Sequence, residues 1–193
     1  MPIRLLTSGG GTTTIQPTTS ASSVTLTVPS VSGNVVTTGD TASVTQAMLG
    51  SNVATTGPSF SAYNSSSITV TGGNAWTKMA LQTEEWDTAN CFDSTTNYRF
   101  TPNVAGYYQF SGSIQLTNNI VLCVSLYKNG GEYRRGCYTY PSTVNGSCVA
   151  GMIYLNGSTD YVELYAYNGS AGSVSSQTGA AYTFLTGFLA RSA

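Results

Sequence analysis

Four Asn-Gly dipeptides restrict what this chain can become: Asn129-Gly130, Asn145-Gly146, Asn156-Gly157 and Asn168-Gly169. An Asn-Gly pair accepts the positive backbone dihedrals of a two-residue hairpin, and few other pairs do. The segments around these pairs alternate with a period of two. Leu122, Val124 and Leu126 share one face of a strand over 121–127. Val162, Leu164 and Ala166 share one face of 161–167, with Tyr161, Glu163, Tyr165 and Tyr167 on the other. That is strand periodicity. No long helical period occurs beyond residue 57. The expectation is an all-β fold, a two-sheet sandwich or jelly roll.

Composition divides the chain near Gly57-Pro58. All 13 Tyr, 6 Phe and 2 Trp lie beyond it, and Ser and Thr dominate the part before it. Residues 1–57 read as a small β base or attachment segment, and residues 58–193 as the main domain. Val24, Leu26 and Val28 alternate with Thr25 and Thr27, and Pro29 ends that strand. Val35-Val36 starts a second extended piece. Asp40 or Thr41 can cap a short helix through Ala47-Met48-Leu49 that stops at Gly50. These elements are too small to fold alone and need partner chains or a docking surface.

Charge narrows the function. Only 8% of residues are charged and the net charge is −1, against about 25% charged in an ordinary globular protein. A surface of Ser, Thr, Asn, Gly and Tyr repels little and suits a permanent assembly. No basic stripe exists to neutralise phosphates, so nucleic acid is excluded as a partner. No stretch approaches the roughly 18 apolar residues of a membrane span, so no insertion is expected. Ile3, Leu5 and Leu6 run straight into Thr7-Ser8-Gly9-Gly10, which leaves no apolar core for a secretory signal. Folding in a cytosol is the expectation. There, the four cysteines (Cys91, Cys123, Cys137 and Cys148) are expected as packed free thiols. The alternative is a bond between Cys137 and Cys148 across a turn-rich segment.

Catalysis finds little support. The chain has no histidine, which removes the usual base of a Ser or Cys nucleophile and the usual partner of a zinc-binding Cys. Glu84, Glu85 and Asp87 form the only acidic cluster. Paired carboxylates can cleave a glycan, but the simpler reading is a solvated loop. No cofactor and no metal are expected, and no ligand spacing points to calcium.

The row Tyr161, Tyr165 and Tyr167 is more aromatic surface than a lone monomer usually offers to water. Tyrosine buries a large ring while keeping a polar tip, which suits a subunit contact. The alternative is a stack inside the sandwich or a scattered surface row.

From about Phe60 to Arg191 the sequence resembles the C1q-like domains, which share a ten-stranded jelly roll with tumour necrosis factor. The resemblance is carried by Phe60-Ser61-Ala62, Trp76-Thr77-Lys78-Met79, Asn90-Cys91-Phe92-Asp93 and Tyr98-Arg99-Phe100-Thr101-Pro102. It continues through Ala105-Gly106-Tyr107-Tyr108-Gln109-Phe110, Leu126-Tyr127-Lys128-Asn129-Gly130, the Asp160–Ala166 run and Thr186-Gly187-Phe188-Leu189. It implies a compact homotrimer with one sheet of each protomer around a three-fold axis, and a non-enzymatic binding role. It places Phe100, Tyr108, Phe110, Leu164 and Phe188 in the protomer core, with Gly106 and Gly187 as close-packing positions. No collagen-like Gly-x-y stalk precedes this domain, unlike in secreted animal members.

Before the domain, Thr14–Pro17, Val24–Pro29 and Gly33–Thr38 resemble short β segments of tailed-phage tail-fibre and head-decoration proteins, which form an intertwined trimeric base. The two resemblances together imply a non-catalytic homotrimer on the exterior of a tailed-phage virion, assembled in the bacterial cytoplasm. Its short length favours a head-decoration protein bound to the major capsid protein. The alternatives are the receptor-binding knob of a short tail fibre, held by a tail protein and facing a host surface glycan, and a glycan-cleaving spike. Arg4, Leu5, Leu6, Val24, Leu26 and Val28 are the candidate attachment residues. In a fibre knob, Tyr133, Tyr138 and Tyr140 are the candidates for stacking on sugar.

Overall fold

Every regular element among the described residues is a strand. A computed structural model describes residues 3–6, 12–15, 57–140 and 145–193. Two compact units divide the chain, Met1–Asn52 and Val53–Ala193. In the first, β1 (Ile3–Leu6) pairs antiparallel with β2 (Thr12–Ile15), Ile3 opposite Ile15 and Leu6 opposite Thr12. Arg4, Leu5 and Leu6 therefore belong to β1. Val24, Leu26 and Val28, the piece at Val35-Val36 and the helix expected through Ala47–Leu49 lie outside the described residues.

The second unit is a sandwich of two antiparallel sheets. Its strands are β3 (Ser59–Tyr63), β4 (Thr69–Val70), β5 (Ala75–Lys78), β6 (Thr83–Asp87), β7 (Phe92–Asp93), β8 (Arg99–Phe100) and β9 (Ala105–Gln115). They continue with β10 (Leu122–Lys128), β11 (Gly131–Arg135), β12 (Gly146–Asn156), β13 (Val162–Asn168), β14 (Val174–Ser175) and β15 (Phe184–Ser192). One sheet runs β12-β9-β15-β3-β6. The other runs β11-β10-β13-β8-β7, with β5 also paired to β13, and β14 pairs with β4 in a separate two-stranded ribbon. Long-range crossovers such as β3 beside β15 are what a jelly roll requires.

One Asn-Gly pair makes the expected two-residue hairpin. Asn129 and Gly130 have φ of 52° and 78° and join β10 to β11. The others work differently. Asn156 caps its turn by accepting from the backbone amides of Ser158, Thr159 and Asp160. Asn145 donates to the Asn118 carbonyl at 2.6 Å, and Asn168 to those of Val70 and Gly172. Asn156 thus closes its own turn while Asn145 and Asn168 tie loops together, uses open to Asn because its amide carries both donor and acceptor.

The core is aromatic. Phe60 stacks on Phe100 at 4.5 Å and on Phe92 at 4.9 Å. Phe100 meets Phe110 and Tyr108 edge-on at 5.8 and 5.5 Å. Phe100, Tyr108, Phe110 and Leu164 are fully buried. The Tyr108 hydroxyl donates to the Val104 carbonyl at 2.7 Å, and burial pushes its pKa up to about 12. Phe188 is a correction: it is 51% exposed. On β15 the inward positions are Leu185, Gly187 and Leu189, so Phe188 has the opposite parity and points to solvent. Gly187 faces Phe110, and a β-carbon there would lie 2.7 Å from that ring. Gly106 is equally tight against the Arg191 carbonyl.

One loop makes an acid-sensitive contribution. Asp93 accepts from the amides of Thr96, Thr95 and Asn97 and from the Asn97 side chain. These bonds, led by that from Thr96, hold its carboxyl well below the usual range. A carboxyl depressed on folding stabilises fully above its unfolded value near pH ~4, and loses that contribution as pH falls through the lower folded value. Asp93→Ala is therefore expected to lower the denaturant midpoint at pH 7. The gap to the parent should shrink steadily below pH ~4; a gap independent of pH would refute the assignment.

Candidate interaction surfaces

The solvent face of the β12-β9-β15-β3-β6 sheet carries apolar residues in register. Tyr154 lies opposite Tyr107, and their rings meet at 5.4 Å. The next row is Met152, Gln109, Phe188 and Ser59. Then come Ala150, Ser111, Thr186, Ser61 and Trp86, and then Cys148, Ser113, Phe184 and Tyr63. Tyr107, Met152, Tyr154, Phe188 and Trp86 are all exposed. The charged groups at these rows are Arg191 opposite Tyr107, Lys128 at 5.7 Å from the Tyr154 ring, and Glu85, which accepts from Ser61. Large apolar groups around small hydroxyl side chains, with almost no charge, have the composition of an interface core.

The signal for this face was in β12. Its inward residues Val149, Ile153 and Leu155 are buried, yet its outward residues include Ala150, Met152 and Tyr154. β12 is therefore apolar toward solvent as well as toward the core.

The tyrosine row lies on the solvent face of the other sheet. Tyr165 stacks on Tyr127 at 3.8 Å, and Tyr167 packs on Trp76 at 5.3 Å and on Tyr138 at 5.7 Å. Tyr161 lies under the Arg99 guanidinium, 4.2 Å from its ring centre. All three are half-buried by their own chain. Burial raises the hydroxyl pKa of Tyr127 and Tyr165. Glu163, buried among them, is paired with Lys78 at 3.0 Å, and Lys78 also donates to the Asn97 carbonyl.

Two small residues of β10, Cys123 and Ser125, face outward on this sheet and are nevertheless fully buried. The cover comes from neighbouring rings and from Arg135, opposite Ser125 on β11. Arg135 lies over Trp76 and Tyr138 and donates to the Tyr138 hydroxyl at 3.2 Å. Glu132 grips the same guanidinium through Nε at 2.6 Å and through Nη2. Hydrogen bonding from Arg135 holds the Glu132 carboxyl below its ordinary pKa.

The remaining candidates are dispersed. Glu85 is the extra residue of a bulge in β6 and accepts from Ser61 at 2.7 Å, while Asp87 accepts from the amides of Ala89 and Phe92. Each of these two carboxylates is thus engaged in structure, and Glu84 lies opposite Ala62. No group of three His, Cys, Asp or Glu converges on a metal-sized site among the described residues. The four cysteines are free, Cys137 and Cys148 exposed and the other two buried. Tyr133, Tyr138 and Tyr140 are exposed.

No protein-family profile matches the sequence, and no curated protein is detectably similar to it. Solved structures are similar in fold. The tumour necrosis factor Eiger from S. frugiperda superimposes with a TM-score of 0.53 at 15% identity, over 70% of this chain and 92% of that one. Murine APRIL at pH 5.0 gives 0.53 at 12% identity, over 69% and 98%. The globular domain of zebrafish complement 1qA gives 0.47 at 16% identity, over 70% and 99%.

Proposed function

From a chain with the jelly-roll fold of tumour necrosis factor-like domains, we propose a non-catalytic homotrimer on the exterior of a tailed-phage virion, acting as a head-decoration protein. The observation that carries the trimer is the nearly uncharged apolar face of the β12-β9-β15-β3-β6 sheet. Left in water, Tyr107, Met152, Tyr154, Phe188 and Trp86 would form a sticky surface on every copy. Closing that face around a three-fold axis removes it from water with identical contacts on each chain. This moves the subunit contact from Tyr161, Tyr165 and Tyr167 to the opposite sheet, because the tyrosine row already has partners within its own chain.

Assignment to a virion is supported by the N-terminal segment and its likeness to phage β bases. The attached trimer would stabilise the shell by burying apolar surface from several capsid subunits at about 25 cal/mol per Å². A fibre-tip role is a second reading, favoured by an uncharged loop end on the sandwich.

Sedimentation equilibrium tests the trimer. The expected mass is three times the 20.1 kDa chain, constant across micromolar concentrations, and a stable 20.1 kDa species would end the proposal. Removing residues 1–50 is expected to abolish attachment to purified heads. Binding retained by the shortened chain would exclude Arg4, Leu5, Leu6, Val24, Leu26 and Val28 as the attachment segment.

A further inference from the structure

One end of the sandwich carries no charge. There β3, β9 and β13 finish and β5, β10, β12 and β15 begin. The described loops at this end are residues 64–74, 116–121, 139–140 and 169–183, and none contains Lys, Arg, Asp or Glu. The charged residues of the sandwich lie along the strands or toward the other end, where Gly57-Pro58 leads into β3 and Ala193 bonds to Ala105. A charge-free end is unusual for a protein surface, since charges are what usually keep exposed loops solvated.

At the shoulder of this end stands an aromatic cradle. Thr139 bridges to Leu122 in both directions, which extends the edge of β10 and brings Tyr138 alongside Cys123. Trp76, Tyr167 and Tyr138 therefore surround a small floor. The Tyr167 hydroxyl is fixed by Asn74 at 2.9 Å, and Tyr140, 71% exposed, stands at the rim. The nearest cation, Arg135, is neutralised by its paired contact with Glu132.

We infer that this shoulder binds an uncharged glycan, its pyranose rings lying against the exposed Tyr138 and Tyr140 and its hydroxyls bonding to Asn74 and the neighbouring loop amides and hydroxyls. Aromatic rings offer a flat apolar face to the C–H face of a sugar, and a tyrosine or asparagine tip supplies direction. An anionic polymer would need free cations, and the one cation in reach is already paired. This deepens the exterior-knob reading and rests on it, since a displayed end is what a surface sugar can reach.

The test uses the full chain carrying Trp86→Phe, which leaves Trp76 as the sole tryptophan reporter. Its fluorescence is titrated with maltohexaose, cellohexaose, mannohexaose and a β-1,4-galactan oligomer, with a heparin hexasaccharide as the charged probe. The expected result is a saturable change with at least one uncharged oligomer, half-complete at or below about 1 mM. Tyr138→Ala should weaken it at least tenfold. Asn74→Gly should weaken it severalfold without backbone strain, because Asn74 already sits at a φ of 62°. No saturable change with any uncharged oligomer, tighter binding of heparin, or an affinity indifferent to both variants would overturn the inference. Sedimentation of the chain with Trp86 in place, run beside the titration, separates the two proposals: a trimer whose variant binds no sugar refutes only the glycan site, and a monomer whose variant binds sugar refutes only the trimer.

Discussion

Phe188→Glu is expected to turn a three-chain particle into single chains while leaving each chain folded. Phe188 sits in the middle of the apolar face, between Gln109 and Ser59 in register and two strands from Met152. It is half exposed in the isolated chain, so a glutamate there stays hydrated when the chain is alone. In the closed assembly it would place three carboxylates in apolar surroundings. Burying an unpaired carboxylate costs several kcal/mol, so the dissociation constant should rise by at least ~100-fold. Circular dichroism and the unfolding midpoint of the monomer should stay near the parent's values, and sedimentation should report 20.1 kDa. A Phe188→Glu chain that remains trimeric would move the contact off this sheet. Tyr165→Glu, on the other sheet, would then be the informative variant.

Phe100→Ala is expected to do the reverse and cost the fold itself about 3–5 kcal/mol. Phe100 is fully buried, stacked on Phe60 and edge-on to Tyr108 and Phe110. It also ties the sheet together through its pairing with Phe92 and Val162. Truncation leaves a hole among rigid rings that cannot collapse into it. Phe188→Ala, measured on the monomer, should cost no more than about 0.5 kcal/mol. The same residue type is thus expected to act on folding at position 100 and on assembly at position 188. Equal losses in the two monomers would contradict the two environments described above.

Much of the site was hidden in the sequence for one reason. Alternation shows that a strand has two faces, but not which face the second sheet covers. On β13 the choice was readable, because Val162, Leu164 and Ala166 are plainly more apolar than Glu163 and the tyrosines. On β15 it was not. Phe184, Leu185, Phe188 and Leu189 occupy both faces, and the resemblance favoured the aromatic at position 188 for the core. The bulky rings of Phe60 and Phe110 decide otherwise, since only a residue without a side chain fits between them at position 187. That turns Phe188 outward. The tyrosine row lies on the outer face of its strand. Its partners, Trp76 on β5 and Tyr127 on β10, come from distant segments, so its engagement within the chain had no local signal.

What the sequence determined alone is the strand class, the tight hairpin at Asn129-Gly130 and the shared face of Val162, Leu164 and Ala166, while the core places of Phe100, Tyr108 and Phe110 came from the resemblance. Period-two patterning and turn chemistry are local properties, and they act before any sheet is complete. Tertiary structure alone decided which apolar face is left bare and which aromatic row is already spent. Those outcomes depend on how two sheets register and pack, and packing compares residues more than a hundred positions apart.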